Sequence, residues 1–197
     1  MTVLDGYDPR DPHSLDEKVD YLAALKKPMR GMKIAYSPNL DVFPVEPAVA
    51  ETVARAVRAF AEAGAHIEEV KVGITTPQRE LSDVWSRLMM PLNLGALATM
   101  KHFGADLLKD HRGDFPPEYL RWIEIGQRLS LDDLGRDQWV RSTVFDAFQN
   151  VFSRYDLIVT PTLAAMPVEN RSDGNTLGPA SVNGEEVDPL IGWCLTY

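Results

Sequence analysis

Residues that could do chemistry are few and scattered along this sequence. None of the four histidines has the i, i+4 partner or the neighbouring cysteine that a zinc site needs; they are His13, His66, His102 and His111. The single cysteine, Cys194, follows Trp193 without a base nearby in the sequence, so a small buried thiol is the better interpretation than a nucleophile. We therefore expect no metal and no cofactor.

Serines and carboxylates give no stronger signal. None of the serines lies in a Gly-x-Ser-x-Gly elbow or in a glycine-rich loop that could aim backbone N–H groups at an oxyanion. Residues 174–181 contain two glycines but lack the lysine of a phosphate-binding loop. Neighbouring acidic residues such as Asp132 and Asp133 are explained as helix caps, turn formers or solvated faces. The motifs in this sequence therefore do not make up a complete active site.

One stretch has the form of a strand that leads into a functional loop. Residues 155–163 read YDLIVTPTL, in which an apolar, β-branched run ends at Thr160, Pro161 and Thr162. Loops at the carboxyl ends of strands carry the sites of open α/β proteins. These three residues are therefore predicted to border a site.

The elements before that loop include a βαβ unit. Residues 32–38 read as a buried strand, and residues 66–72 read as a second strand. Between them the apolar residues recur at helical spacing, with Pro47 in the first turn and Gly64 as the stop. This order predicts two parallel strands joined by a right-handed crossover.

The middle of the chain is predicted to be helical. Thr75 or Thr76 is expected to cap a first helix, and two shorter helices are expected near residues 103–111 and 117–128. A capping box at residues 130–133 opens a long helix before the strand at 156–160. Residues 164–189 read as one irregular loop. The helix capped by Thr75 or Thr76 has one apolar face, formed by Leu81, Val84, Trp85, Leu88 and Met89. The long helix after the capping box has an inward apolar stripe, formed by Val140, Val144, Phe148, Val151 and Phe152.

Composition excludes some classes of partner. The 197 residues carry a net charge of -9, which argues against a nucleic-acid backbone or an anionic membrane as the main partner. No apolar run approaches the ~20 residues that cross a bilayer, and the N-terminus lacks the pattern of a signal peptide. A single cysteine fits a reducing, cytoplasmic compartment.

Four stretches, in order, resemble the amidase signature family. Residues 4–14 look like the Gly-x-Asp-x-x-Asp-Pro segment that follows its nucleophile region, and residues 29–39 are similar to the strand that comes next in that family. Residues 155–170 resemble its strand and Pro-Thr loop, and residues 182–197 resemble the stretch before its Phe-Asn-x-x-Gly-x-Pro-Ala motif. The resemblance spans essentially the whole chain.

This resemblance implies an α/β fold, part of a mixed sheet sandwiched by helices, and hydrolysis of a carboxylic amide by a Ser-cisSer-Lys mechanism. No residue here matches the family's catalytic serines or lysine. We therefore expect the chain to be a C-terminal portion of an amidase (1–197), with no catalytic residues and no activity when isolated. Residues 1–31 would form a loop and short helix, and 75–130 a helical insert over the substrate.

The resemblance also implies where a small-molecule amide substrate would lie. Helical residues Trp85, Met89, Met90 and Trp122 are candidates for the pocket wall, and Thr160, Pro161, Thr162, Trp193 and Thr196 for its border. We expect the isolated chain to self-associate, because half of a sheet leaves unpaired edges. Two alternatives stay open: the A-type subunit of a glutamine-dependent amidotransferase, for which no docking signature is visible, and a non-enzymatic α/β binding module.

Overall fold

The computed structural model describes residues 6–17, 19–172 and 176–194. The larger elements follow the predicted order, and the short ones lie between them. Along the chain they are α1 (Tyr21–Ala24), β1 (Lys33–Tyr36), α2 (Pro47–Glu62), β2 (His66–Glu69), α3 (Gln78–His102), α4 (Leu107–Asp110), a 3-10 turn (Arg112–Asp114), α5 (Pro117–Gly126), α6 (Leu131–Phe152), β3 (Leu157–Val159), β4 (Ser181–Val182) and β5 (Glu185–Glu186).

Three parallel strands form the centre of the fold, in the order β2-β1-β3. The parallel pairing of β1 with β2 through α2 was predicted and is confirmed. Ile34 and Ala35 in β1 are both fully buried. Since successive strand residues point to opposite faces, both faces of the central strand are covered, as is usual for a parallel sheet.

The main core lies on the face of the sheet to which Ala35 belongs, under helices α3 and α6. Leu81 of α3 and Val144 of α6 belong to the same buried cluster as Ala35. The cluster extends to Val182 and Val187 of the C-terminal segment, which ties that segment to the sheet. Burial of these apolar side chains is the main favourable term that holds the layers together.

Helix α3 differs from the prediction at its start. It begins at Gln78 after Pro77, which has no side-chain capping hydrogen bond, so the expected caps Thr75 and Thr76 are wrong. Proline has a fixed φ that suits the entry to a helix, and here it decides the boundary. The expected helix at 103–111 is reduced to the single turn of α4, because Gly104 takes a φ of 93° and ends α3 just before it.

Helix α6 begins as predicted. Ser130 accepts a hydrogen bond from the Asp133 N–H while the Asp133 carboxylate accepts one from the Ser130 N–H, which completes the capping box. The inward stripe is confirmed for Val144 and Val151 but is wrong for Phe152, which is 48% exposed. Ala147 takes the inward position instead, because 144, 147 and 151 follow the helical repeat more closely.

The irregular C-terminal segment contains a small hairpin. Strands β4 and β5 pair antiparallel around Asn183 and Gly184, which have φ values of 50° and 84°. Two residues with positive φ suit the tight turns that join antiparallel strands, so the Asn-Gly pair carried a signal that the prediction of one loop missed. Among the described helices, none is both long and apolar enough to cross a bilayer.

Candidate functional site

The carboxyl ends of the three parallel strands meet at one edge of the sheet. We call the loops that follow them, residues 37–46, 70–77 and 160–166, the strand-end platform. Two hydrogen bonds join the first residues of these loops to the neighbouring strands: the Ser37 N–H donates to the Val159 carbonyl at 3.0 Å, and the Val70 N–H donates to the Tyr36 carbonyl at 2.9 Å. This is the edge at which open α/β sheets carry their sites.

The loop after β1 is strained and clamped to the loop after β2. Leu40 and Asp41 have φ values of 48° and 72°, in a region that non-glycine residues seldom occupy. The Asp41 carboxylate accepts hydrogen bonds from the N–H groups of Gly73 at 2.6 Å and Ile74 at 3.2 Å. Such strain persists only where the surroundings fix it, and it is concentrated at functional sites.

Glu46 fixes the loop after β3. Its N–H donates to the Ala164 carbonyl at 2.7 Å, and its carboxylate accepts from the Met166 N–H at 2.9 Å. Glu46 is also the N-cap residue of α2, so one residue joins a helix start to the loop that carries Thr160. The three loops of the platform therefore form a cross-linked surface.

The segment around Trp193 lies beside the loop that follows β3. The Ala164 N–H donates to the Trp193 carbonyl at 2.7 Å, and Leu163 pairs antiparallel with Cys194. On its other side the buried Gln78 amide donates to the Gly192 carbonyl at 2.8 Å and to the Ser82 hydroxyl at 3.0 Å. Thr196 lies outside the described residues.

Burial decides the state of several groups near the platform. Pro161 is buried, Thr162 is exposed, and the Thr160 hydroxyl is buried without a hydrogen-bond partner in the described part of the chain. Burial raises the pKa of the Cys194 thiol above its ordinary value, which keeps it protonated near neutral pH. Within the described ranges, no group of histidine, cysteine and acidic side chains could hold a metal ion.

The predicted pocket-wall residues do not gather at one place: Trp85 and Met90 lie on different faces of α3, and Trp122 lies on α5. Trp85 lines an apolar groove of about 310 Å³ between α3 and α6, whose other residues include Leu88, Val144, Phe145 and Phe148. Met90 faces α5, where it lies against Gly126, and it shares a cavity of about 200 Å³ with Trp122. Met89 is half-buried and is not a lining residue of the groove.

Sequence reasoning missed the residues that hold the platform together. Asp41, Glu46 and Gln78 act over 32 to 120 positions of sequence, and long-range hydrogen bonds leave no local pattern. A local signal existed only for the loop after β1, where the Asn39 side chain accepts from the Asp41 N–H. That Asn-x-Asp turn is a recognisable turn signature.

The Amidase family model matches residues 1–188. This chain belongs to the Amidase family. It is 29% identical to an acylamidase from Rhodococcus erythropolis, over 100% of this chain and 39% of that protein. It is 30% identical to a glutamyl-tRNA(Gln) amidotransferase subunit from Lacticaseibacillus casei, over 82% of this chain and 37% of that protein.

Solved structures share the fold of this chain. The fold matches a bacterial aryl acylamidase of the amidase signature enzymes with a TM-score of 0.93 and 43% identity, over 98% of this chain and 40% of that one. A structure of a vestigial protein complex that bears on the origins of an s-triazine catabolic enzyme shares the fold, with 18% identity and a TM-score of 0.67. This Amidase family chain spans about 40% of the length of the relatives it matches.

Proposed function

We propose that this chain is part of an amide hydrolase of the acylamidase type, to which it contributes sheet, scaffold and a share of the substrate pocket. The observation that carries the proposal is the match to an aryl acylamidase along 98% of the chain with a TM-score of 0.93. Such agreement of sequence and backbone extends to the strand-end platform, where this fold class keeps its chemistry.

The nucleophile and base of this hydrolase come, in our proposal, from polypeptide beyond these residues. The buried serine hydroxyls take part in local structure: Ser37 accepts a hydrogen bond from the Leu40 N–H, and Ser82 accepts one from the Gln78 amide. The raised pKa of Cys194 makes that thiol a poor nucleophile. A Ser-cisSer-Lys mechanism is what the family resemblance implies for the whole enzyme.

The experiment is an amidase assay of the 197-residue chain beside the longer protein that contains it, with N-aryl and small aliphatic amides as substrates. We expect turnover by the longer protein and none by the chain alone, since an amide bond needs an activated nucleophile and an oxyanion site together. Turnover that stays with the isolated chain through repurification would contradict the proposed location of the catalytic residues.

The α3–α6 groove is proposed as the surface that receives the apolar part of the substrate. Its volume of about 310 Å³ and its aromatic lining, which includes Trp85 and Phe148, suit an aryl or acyl group. When an apolar group binds there, the surface of the group and the surface of the groove are both removed from water. This burial is the main source of affinity for apolar ligands.

Truncation of Trp85 tests the groove. In the longer protein, Trp85→Ala is expected to lower kcat/KM for an N-aryl amide about 10- to 100-fold more than for acetamide, because only the larger substrate reaches the groove. Trp139→Ala is the matched control, since Trp139 is 73% exposed on α6 and is not a lining residue. An equal loss for both substrates would place substrate recognition elsewhere.

A component of a glutamine-dependent amidotransferase is the second candidate. It is favoured by the 30% identity to the Lacticaseibacillus casei protein, but the solved amidotransferase subunit from Thermotoga maritima matches with a TM-score of only 0.54. The two candidates differ in substrate: glutamine-dependent ammonia release that needs an aminoacyl-tRNA and a partner protein would favour the amidotransferase. A non-enzymatic module would show neither activity in the longer protein.

A further inference from the structure

The apolar groove between α3 and α6 has a single charged residue in its lining. This residue is Arg141, on α6, and the only other polar lining residue is Gln149, about two turns further along the same helix. Every remaining lining residue is apolar. The groove therefore offers apolar contacts from both helices and polar contacts from α6 alone.

Acidic side chains are missing from the lining of this groove, although the chain is rich in them. The sequence has 29 aspartates and glutamates against 20 lysines and arginines, yet the groove lining found in the described part of the chain includes neither acid. A net charge of -9 repels anions at long range, so an anionic ligand needs a cation close to its binding place. Arg141 supplies that cation.

The Arg141 guanidinium has donors to spare. One of its Nη atoms donates to the Gln138 Oε1 atom at 3.3 Å, and within the described ranges it makes no ion pair. The acid one turn before it on α6 is Asp137, whose carboxylate is already bound by Arg87 at 2.6 and 2.8 Å. A guanidinium carries five N–H donors in a planar fork that matches a carboxylate. Most of this fork is open to water or to a ligand.

We propose that the group received by the groove is an aromatic ring that bears a carboxylate, and that Arg141 binds this carboxylate. This rests on the proposed function, in which the groove receives the apolar part of the amide substrate. The ring would lie against Trp85 and Phe148, and the carboxylate would accept paired hydrogen bonds at the α6 wall.

The substrate class that follows is an N-acylated aminobenzoate. Its hydrolysis adds water across the amide C–N bond: the hydroxyl goes to the acyl carbon, the proton goes to the nitrogen, and a carboxylic acid and an aminobenzoate leave. Arg141 contacts none of the reacting atoms in this scheme. Its role is to select substrates by the charge on the ring.

A matched pair of amides tests the proposal in the longer protein. The compounds para-acetamidobenzoate and acetanilide share the ring and the scissile amide and differ only in the carboxylate. Values of kcat and KM for both are measured with the wild type, Arg141→Gln, Arg141→Lys and Arg136→Gln. Arg136 is the control because it is exposed on the same helix and is not a lining residue, so its replacement makes the same change in net charge.

A second readout does not depend on turnover. Ligand-observed NMR gives the dissociation constants of para-acetamidobenzoate and acetanilide with the 197-residue chain and with the longer protein, each as wild type and as Arg141→Gln. Arg141 is exposed, so its replacement by glutamine should leave the fold intact.

We expect the wild type to have the lower KM for para-acetamidobenzoate. Arg141→Gln should raise this KM about 3- to 10-fold more than the KM for acetanilide, because an exposed charge pair is lost, with the smaller part of the effect in kcat. Arg141→Lys keeps the charge without the fork and should fall between the two, and Arg136→Gln should keep the wild-type ratio of the two KM values. Raising the salt from about 0.05 to about 0.5 M should raise the wild-type KM for the carboxylate compound more than that for acetanilide.

Three results would overturn the proposal: a wild-type KM that does not respond to the carboxylate, a KM ratio in Arg141→Gln equal to that of the wild type, or the same loss in Arg136→Gln. The last result would assign the effect to net charge rather than to the groove. If the longer wild-type protein hydrolyses neither amide, the proposed function fails. The NMR comparison then still decides: tighter binding of the carboxylate compound that is lost in Arg141→Gln supports the assignment, and equal binding by both proteins refutes it.

Discussion

At the scale of single residues, Cys194 shows how burial rather than sequence context sets reactivity. The sequence places it beside Trp193, and the structure half-buries it against the loop that follows β3. Burial disfavours the charged thiolate and raises the pKa of the thiol. The residue is therefore a poor nucleophile although it lies next to the strand-end platform.

This gives a prediction about pH. Alkylation of native Cys194 by iodoacetamide is expected to be slow near neutral pH and to keep rising above pH ~9, because the thiolate fraction falls as the pKa rises. The same chain unfolded in urea serves as control and should react faster at pH ~8, where an exposed thiol is partly ionised. A native pH profile with the same midpoint as that of the unfolded chain would mean an unperturbed thiol.

At the scale of elements, an ion pair fixes α3 against α6. The Asp137 carboxylate is 1% exposed and accepts two hydrogen bonds from the Arg87 guanidinium, at 2.6 and 2.8 Å. The hydrogen bond to Asp137 is the main reason that the pKa of Arg87 is raised. The pair therefore links the same two helices that form the walls of the apolar groove.

Replacing one residue of this pair should lower the free energy of unfolding much more than replacing both residues. Arg87→Leu is expected to destabilise the chain by about 3–5 kcal/mol, because it leaves the Asp137 carboxylate buried without a counter-charge. The double variant Arg87→Leu with Asp137→Leu should recover most of this loss. Urea unfolding measures both.

The control for the ion pair is Arg136→Ala, which removes an exposed pair with Asp133 on the same helix. Exposed pairs contribute little, so its unfolding curve should stay close to wild type. If Arg87→Leu were as mild as Arg136→Ala, the buried pair would not be what holds α3 on α6.

At the scale of the whole molecule, apolar surface and sheet edges are incompletely covered. In the described sheet, β2 and β3 each pair on one side only. Large apolar side chains stand exposed on α6, among them Trp139, Phe145 and Phe152. Unpaired edges and contiguous apolar faces favour association between chains.

We therefore predict that the 197-residue chain self-associates. Sedimentation velocity at tens of micromolar should show species heavier than the 22.0 kDa monomer. The longer protein of the proposed function is the comparison. It should self-associate less if its additional polypeptide pairs with the open edges of the sheet. A single monomeric boundary for the short chain across that range would contradict the prediction.

Local patterns in the sequence determined the βαβ unit, the capping box of α6 and the family. These depend on neighbours within a few residues or on short motifs, such as apolar spacing along a helix or the Pro161 loop. Only the tertiary structure decided the clamps of Asp41 and Glu46 and the split of Trp85 and Met90 between two faces of α3. These depend on which distant segments meet, and contacts between distant segments follow from packing of the whole chain rather than from any local pattern.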